Sequence, residues 1–386
     1  MMHHVVITAG TAIGSVLALA EALRTSIGCD IYVLCTHKNT TEIIASSKFV
    51  TEAFYIDHIE DSEYVDRIKK WYAAKNFSKK PVLYSTTDTS CFLIDKDRDW
   101  FEQNLILSIP SSDIIKKYTQ KGLAEVAAKK ADLVVPKTVI LDKNGDLYEA
   151  LSGFKFPVIL KPRATYLKGG LDFKIKVIES FERLKEFVGR YLQNGNEVLC
   201  QEYIEGNEDS AYFYVFYRGK DGSIVASMGI KTLQSTSKGG VMLKGKSLYS
   251  HELDTICRKF LDKIDYIGVG GIEFKKRNGL FYFIEMSVRL EGFYKIAEVS
   301  NVPVSYSSYQ NLVYEVSVDD VKQTQNIVYV SLFPMIINRI KNKMLIKAFT
   351  ELLNAIFKPK WYINVFSAKS PTPFFKEIYF ILFRRK

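Results

Sequence analysis

The sequence predicts a mixed α/β and α+β chain, on two observations. Val5-Val6-Ile7-Thr8 runs into Gly10-Thr11-Ala12-Ile13-Gly14, an apolar helix over 16–23 and a second apolar run, Asp30-Ile31-Tyr32-Val33-Leu34. Strand, loop, helix and strand in that order make a βαβ opening of Rossmann-like type. Far downstream, Gly271-Ile272-Glu273-Phe274 and the run from Phe281 to Arg289 flank Arg277-Asn278-Gly279. Two apolar runs around Asn-Gly read as an antiparallel hairpin.

Taken in chain order, the first turn carries Gly-x-x-x-Gly and lacks the Gly-x-Gly-x-x-Gly of a dinucleotide site, so a scaffold turn is expected there. A third strand is expected at Val82-Leu83-Tyr84-Ser85, ending in Thr86-Thr87-Asp88. Open α/β sheets bind ligands beyond the C-terminal ends of their strands, which makes Thr11 and Asp88 candidates to touch an acceptor substrate. For Asp88 a competing and preferred role is N-cap of the helix that follows. Ile109-Pro110-Ser111-Ser112 marks the expected boundary of an N-terminal domain over 1–110.

Pro157-Val158-Ile159-Leu160-Lys161-Pro162 is a short apolar strand that delivers Lys161 at its end, and Lys168-Gly169-Gly170 follows as a loop. The next strand, from Glu197 to Glu202, runs through Tyr203-Ile204-Glu205 into Gly206. Gly229-Ile230-Lys231 opens another strand ahead of Lys238-Gly239-Gly240. In the hairpin, antiparallel pairing can set Glu273 and Glu285 side by side on one face. Carboxylates that close raise each other's pKa unless a cation lies between them. A hard, oxygen-seeking ion such as Mg²⁺ suits that place. Arg289 adds a fixed positive charge matched to phosphoryl or carboxylate oxygens. P-loop chemistry is not expected, and the absence of a His-Arg-Asp or Asp-Phe-Gly triplet argues against protein-kinase chemistry.

The order of these pieces resembles the ATP-grasp superfamily, over about residues 110–320. The nearest likeness is to its carboxylate–amine ligases, such as D-aspartate ligase and carbamoyl-phosphate-synthase-like proteins. The resemblance implies an ATP-grasp fold, two α+β lobes over 111–205 and 206–330 clamping ATP, preceded by the Rossmann-like domain. Thr119-Gln120-Lys121, with Leu123-Ala124 and Val134-Val135-Pro136-Lys137-Thr138, is similar to the family's Asp-Lys, Leu-Ala and Val-Pro-x-Thr segment. It makes Lys121 and Lys161 phosphate ligands, with Gly169 and Gly170 in the loop over the phosphates. The Gln201 side chain and the backbones of Glu202 and Ile204 would face the adenine, and Glu208 the ribose. Lys231 would contact phosphate from the second lobe. Glu273, Glu285 and Ser287 would bind Mg²⁺ (or Mn²⁺), and Arg289 would work in catalysis with Lys231.

Three departures stand out: Gln120 replaces the family's aspartate before the first lysine, Ser287 replaces an asparagine metal ligand, and Ser370 replaces aspartate in Ser370-Pro371-Thr372-Pro373-Phe374. The implied reaction phosphorylates a carboxylate and lets an amine attack the acyl phosphate. A cell-wall or surface-polysaccharide precursor is the implied substrate. A degenerate nucleotide-binding module and a carboxylate–thiol ligase are the alternatives on the same scaffold.

At 386 residues, 47% of them hydrophobic, the chain has room for two to three domains with full cores. Its five cysteines are scattered without Cys-x-x-Cys spacing and read as reduced core residues, not zinc ligands. No secretory leader is evident at the start, so a cytoplasmic protein is expected. The character changes over 331–386, expected to be a basic, aromatic, helical extension. There eleven Lys and Arg face only Glu351 and Glu377, so most of the formal charge of +10 lies there. The apolar runs are too short to span a bilayer. Two readings stay open: the extension packs back on the core with a solvated basic face, or it rests peripherally on an anionic membrane at its inner face. No nucleic-acid module is recognisable. Small-molecule carboxylate and amine substrates are the expected partners, with a homodimer as the candidate assembly.

Overall fold

The computed structural model describes residues 2–57, 63–142, 145–162, 175–192, 197–206, 210–236 and 239–383. Three sheets organise them. The first contains β1 (Val5–Ala9), β2 (Ile31–Cys35), β3 (Glu52–Tyr55), β4 (Val82–Ser85) and β5 (Ile106–Leu107), in the order β3-β2-β1-β4-β5 with every pairing parallel. The helix Ile13–Ser26 connects β1 to β2, completing the βαβ unit that the sequence predicts. β1 and β4 are buried along their whole length, as strands covered by helices on both faces must be. The expected third strand is in fact the fourth. Sequence reading passes over β3, a short edge strand whose residues are only partly covered.

The second sheet holds β6 (Thr138–Leu141), β7 (Val158–Pro162), β8 (Lys176–Ile178) and β9 (Val198–Glu202), antiparallel in the order β6-β9-β7-β8. The third contains β10 (Ala211–Arg218), β11 (Ile224–Thr236), β12 (Gly239–Ser247), β13 (Gly268–Arg277), β14 (Leu280–Ser287), β15 (Val328–Val330) and β16 (Trp361–Ile363). Their order is β14-β13-β10-β11-β12-β15-β16, antiparallel except for the last pair.

β16 corrects one expectation: the extension from 331 is not wholly helical, because Trp361–Ile363 closes the edge of the third sheet beside β15. Its helices Leu332–Lys341 and Leu345–Phe357 share an apolar cluster with Leu233, Leu243 and Val330 of that sheet. The extension therefore packs back on the core. All five cysteines are buried and free of disulfides, as their scatter implies. Among the described residues no helix is long and apolar enough to cross a membrane.

Candidate active site

The hairpin forms where Asn-Gly demands it. Asn278 and Gly279 lie at φ 52° and 81°, the two positive values that a two-residue I′ turn requires. Counting outward from that turn pairs Arg277 with Leu280 and Phe274 with Phe283. Plain continuation would set Glu273 against Ile284. Instead a β-bulge intervenes and Glu273 pairs with Glu285. The extra residue reverses the alternation of β14, so Phe283 and Met286 point into the core while Glu285 is exposed. Gly271 pairs with the buried Ser287 one step further. The bulge thus sets the two carboxylates opposite each other.

Lys231 reaches the same place from β11, across β10. Phe213 is the register partner of both Glu273 and Gly229, two residues before Lys231. The Lys231 ammonium forms an ion pair with Glu273 and lies 5.4 Å from the centre of the Phe293 ring. Burial pushes the Glu273 carboxyl up to about 7; Lys231 pulls against that shift, and Glu285 and Glu291 add to it. One ammonium does not offset the burial and the neighbouring carboxylates. Additional positive charge beside Glu273 and Glu285 would be stabilised there, and the donors present are hard oxygens. Among the described residues no three His, Cys, Asp or Glu side chains gather into a complete ligand set. A carboxylate pair that shares its cation with phosphate oxygens is the usual Mg²⁺ arrangement. The residues fit that ion.

Beyond β14 the chain crosses the C-terminal edge of the first sheet. Leu290 N–H donates to the Ser85 carbonyl at 3.0 Å, and Ser15 Oγ donates to the Glu291 carbonyl at 2.6 Å. This holds Arg289 beside Asp88, Nε to Oδ1 at 3.2 Å, while its Nη1 donates to Glu291 Oε2 at 3.0 Å. Burial opposes the guanidinium charge, but the Asp88 and Glu291 carboxylates outweigh it and raise its pKa. Asp88 is therefore not the N-cap: Thr87 takes that place and accepts from Ser90 N–H. Thr11 lies exposed in the turn after β1. Glu291 is a residue that sequence reasoning missed. It is 5% exposed and its Oε1 is buried without a hydrogen-bond partner. An acidic residue two places after the arginine, within an apolar run, was the available signal.

The second sheet carries the other candidates. Lys161 is buried and donates to Gln201 Oε1 at 2.6 Å. The Gln201 amide nitrogen donates to Glu125 and, at 3.2 Å, to Thr138 Oγ1. Both ends of that amide are engaged inside the protein, so contact with a base needs one of these bonds to open. Glu202 N–H donates to the Lys137 carbonyl at 2.8 Å and its carboxylate accepts from Arg277 at 2.7 Å. The Ile204 carbonyl accepts from Lys275 Nζ at 3.1 Å. Two side chains of β13 thereby tie down the segment between the second and third sheets. Lys121 begins the helix Lys121–Lys130, but its side chain lies outside the described residues, as do Gly169, Gly170 and Glu208. The structure brings together Lys231, Glu273, Glu285 and Ser287, with Arg289 held just beyond by Asp88 and Glu291. Lys161 and Gln201 form a separate cluster.

Residues 120–304 match the family model described as carbamoyl-phosphate synthase L chain, ATP binding domain. The chain is similar to N5-carboxyaminoimidazole ribonucleotide synthetase in its ADP complex, at 16% identity and a TM-score of 0.64 over 88% of this chain and 85% of that one. Biotin carboxylase from Campylobacter jejuni gives 17% identity and a TM-score of 0.61 over 85% and 74%. An L-amino acid ligase from Bacillus licheniformis gives 12% and 0.60 over 81% and 75%. No curated protein sequence matches the chain. The match over residues 120–304 and the likeness across most of its length give the chain an ATP-grasp fold.

Proposed function

We propose that the chain is an ATP-dependent carboxylate–amine ligase working through an acyl phosphate. The observation that carries this reading is the bulge-enforced pairing of Glu273 with Glu285, with Lys231 on the same face and Arg289 beyond. In this reading 1–110 supplies part of the acceptor pocket, and the lobes 111–205 and 206–330 enclose the nucleotide. Mg²⁺ bound by Glu273 and Glu285, with help from Ser287, would neutralise charge on the phosphates. Phosphoryl transfer asks mainly for positioning and charge stabilisation. Lys121, Lys161 and Lys231 orient the phosphates, with Gly169 and Gly170 closing over them. Gln201, Glu202 and Ile204 face the adenine, and Glu208 the ribose. Arg289 stabilises negative charge on the acyl phosphate and on the tetrahedral species formed when the amine attacks. Asp88 and Glu291 keep its guanidinium aimed.

The same fold is shared by the L-amino acid ligase, whose name describes this class of reaction. The test is ADP release over a panel of amino acids and other small carboxylates and amines, with mass spectrometry of any product. ADP that appears only with a carboxylate and an amine together, accompanied by an amide product, supports the reading. A second reading is favoured by Ser287, which is buried and offers only a short hydroxyl. It makes the chain a nucleotide-binding module without turnover. That module would bind ATP and release no ADP with any mixture.

A further inference from the structure

The helix Leu345–Phe357 is turned inside out. Its buried residues are Ala348, Glu351 and Ala355. Glu351, 4% exposed, accepts from Arg339 at 2.8 and 3.2 Å and from Lys244 at 2.5 Å. Those cations hold its carboxyl below the ordinary value against the opposing effect of burial. The large apolar residues point outward: Leu345, Ile346, Phe349, Leu353, Ile356 and Phe357, with Ile346 84% and Phe357 77% exposed. At about 100° per residue these six positions fall within about 120° of the helix circumference, a single continuous face. A helix on the surface of a water-soluble protein would bury that face and expose the glutamate.

What surrounds the face says what covers it. Lys341, Lys343, Lys347, Lys358 and Lys360 are all exposed around it. The only acidic residues beyond 330 are Glu351 and Glu377. Glu351 is buried in its ion pairs, and Glu377 has a buried oxygen without a hydrogen-bond partner. The exposed charge that 331–383 contributes to this rim is thus positive, while Glu21 and Glu298 line the adjoining cavity and Glu42 pairs with Lys376. The last helix, Thr372–Phe383, adds Phe375, Tyr379, Leu382 and Phe383 as exposed apolar groups. Next to this face a cavity of about 1130 Å³ is bounded by Leu352, Ile356, Phe374 and Ile378 of the same helices and by Ala18 and Ala22 of the helix Ile13–Ser26.

We infer that this face docks on an anionic lipid bilayer, with the helix Leu345–Phe357 lying in the membrane plane. Outward apolar residues enter the boundary between headgroups and acyl chains, and the lysines remain at the level of the lipid phosphates. The adjacent cavity gives hydrocarbon chains apolar walls to meet. A second copy of the chain is the poorer occupant, because it would set two lysine-rich rims of like charge against each other. The inference does not rest on the ligase reading.

The test is co-sedimentation of the full chain with phosphatidylcholine vesicles, with and without added phosphatidylglycerol. We expect at least about tenfold more protein to pellet with the anionic vesicles at low salt, falling as salt screens the lysines. Combining Ile346→Ser, Phe349→Ser and Phe357→Ser should abolish pelleting while thermal unfolding stays that of the parent, since all three side chains are exposed. Lys343→Glu with Lys347→Glu should weaken binding to anionic vesicles only. Failure to pellet with anionic vesicles at low salt would overturn the inference. So would pelleting that the serine variant leaves unchanged, or a lipid-free dimer that this variant dissociates.

Discussion

Asp88, the first residue of the helix after β4, holds Arg289 of the hairpin extension at 3.2 Å. This pair is the point where the N-terminal sheet touches the proposed chemistry. The first sheet changes connection direction between β1 and β4, and ligands of open α/β sheets gather outside the strand ends at such a place. In the folded chain that position is filled by an arginine delivered from the third sheet. In the proposed reaction, the first sheet would thus act on the site by aiming a charge.

Removing that aim should slow chemistry more than binding. Asp88→Asn keeps the shape and deletes the charge, leaving Arg289 held by Glu291 and the Leu290 carbonyl. We expect kcat for ADP formation to fall on the order of tenfold, with KM for ATP nearly unchanged. Steady-state kinetics checks this. An unchanged kcat would mean that the pair is only structural.

Gly271 is fixed by Glu291. A Cβ at Gly271 would lie 2.5 Å from Glu291 Cγ and 2.9 Å from its Oε1. Gly271→Ala should therefore push Glu291 off Arg289 and destabilise the fold by about 1–3 kcal/mol, as overpacking does. A chemical denaturation midpoint equal to that of the parent would show that the glutamate swings aside at no cost.

Lys295 ties the C-terminal extension to the core. Its buried ammonium donates to the carbonyls of Ile363, Asn364 and Phe366 at 2.9, 3.3 and 2.6 Å. Burial lowers its pKa to about 8. Lys295→Met leaves three carbonyls without this donor and should cost about 1–3 kcal/mol. Limited proteolysis should then cut first within residues 358–370. Protection equal to the parent's in that stretch would contradict the assignment.

Glu377 gives the fold a pH dependence of known sign. Burial raises its carboxyl from 4.5 to about 7, so folding favours the protonated form. Its contribution is complete below the unfolded value of 4.5 and is lost as pH rises through about 7. Glu377→Gln should leave stability near pH ~4.5 unchanged and raise it near pH ~8 by on the order of 1–2 kcal/mol. Parallel stability curves for variant and parent would contradict this.

The sequence made the βαβ opening legible because a strand, a glycine turn and an apolar helix leave few other arrangements. It made the hairpin legible because Asn278-Gly279 suits one turn type. It did not reveal the bulge, since nothing in Phe283-Ile284-Glu285 announces that Ile284 is the extra residue; strand packing decides that. β3 escaped because Glu52-Ala53-Phe54-Tyr55 at a sheet edge has neither alternation nor full burial. The N-cap went to Thr87 because its hydroxyl, one residue earlier, reaches Ser90 N–H first. Glu291 and Glu351 were invisible for a shared reason: each is a buried charge stabilised by a partner distant or unforeseen in the sequence.

The central claim is that Glu273 and Glu285 together hold the cation that ATP turnover requires. Its most direct test is ADP formation by Glu285→Gln, an exposed residue whose replacement should leave the fold and its unfolding temperature intact. The account predicts a loss of at least about a hundredfold in turnover at any Mg²⁺ concentration. A variant that folds like the parent and turns over ATP at the parent's rate would contradict it.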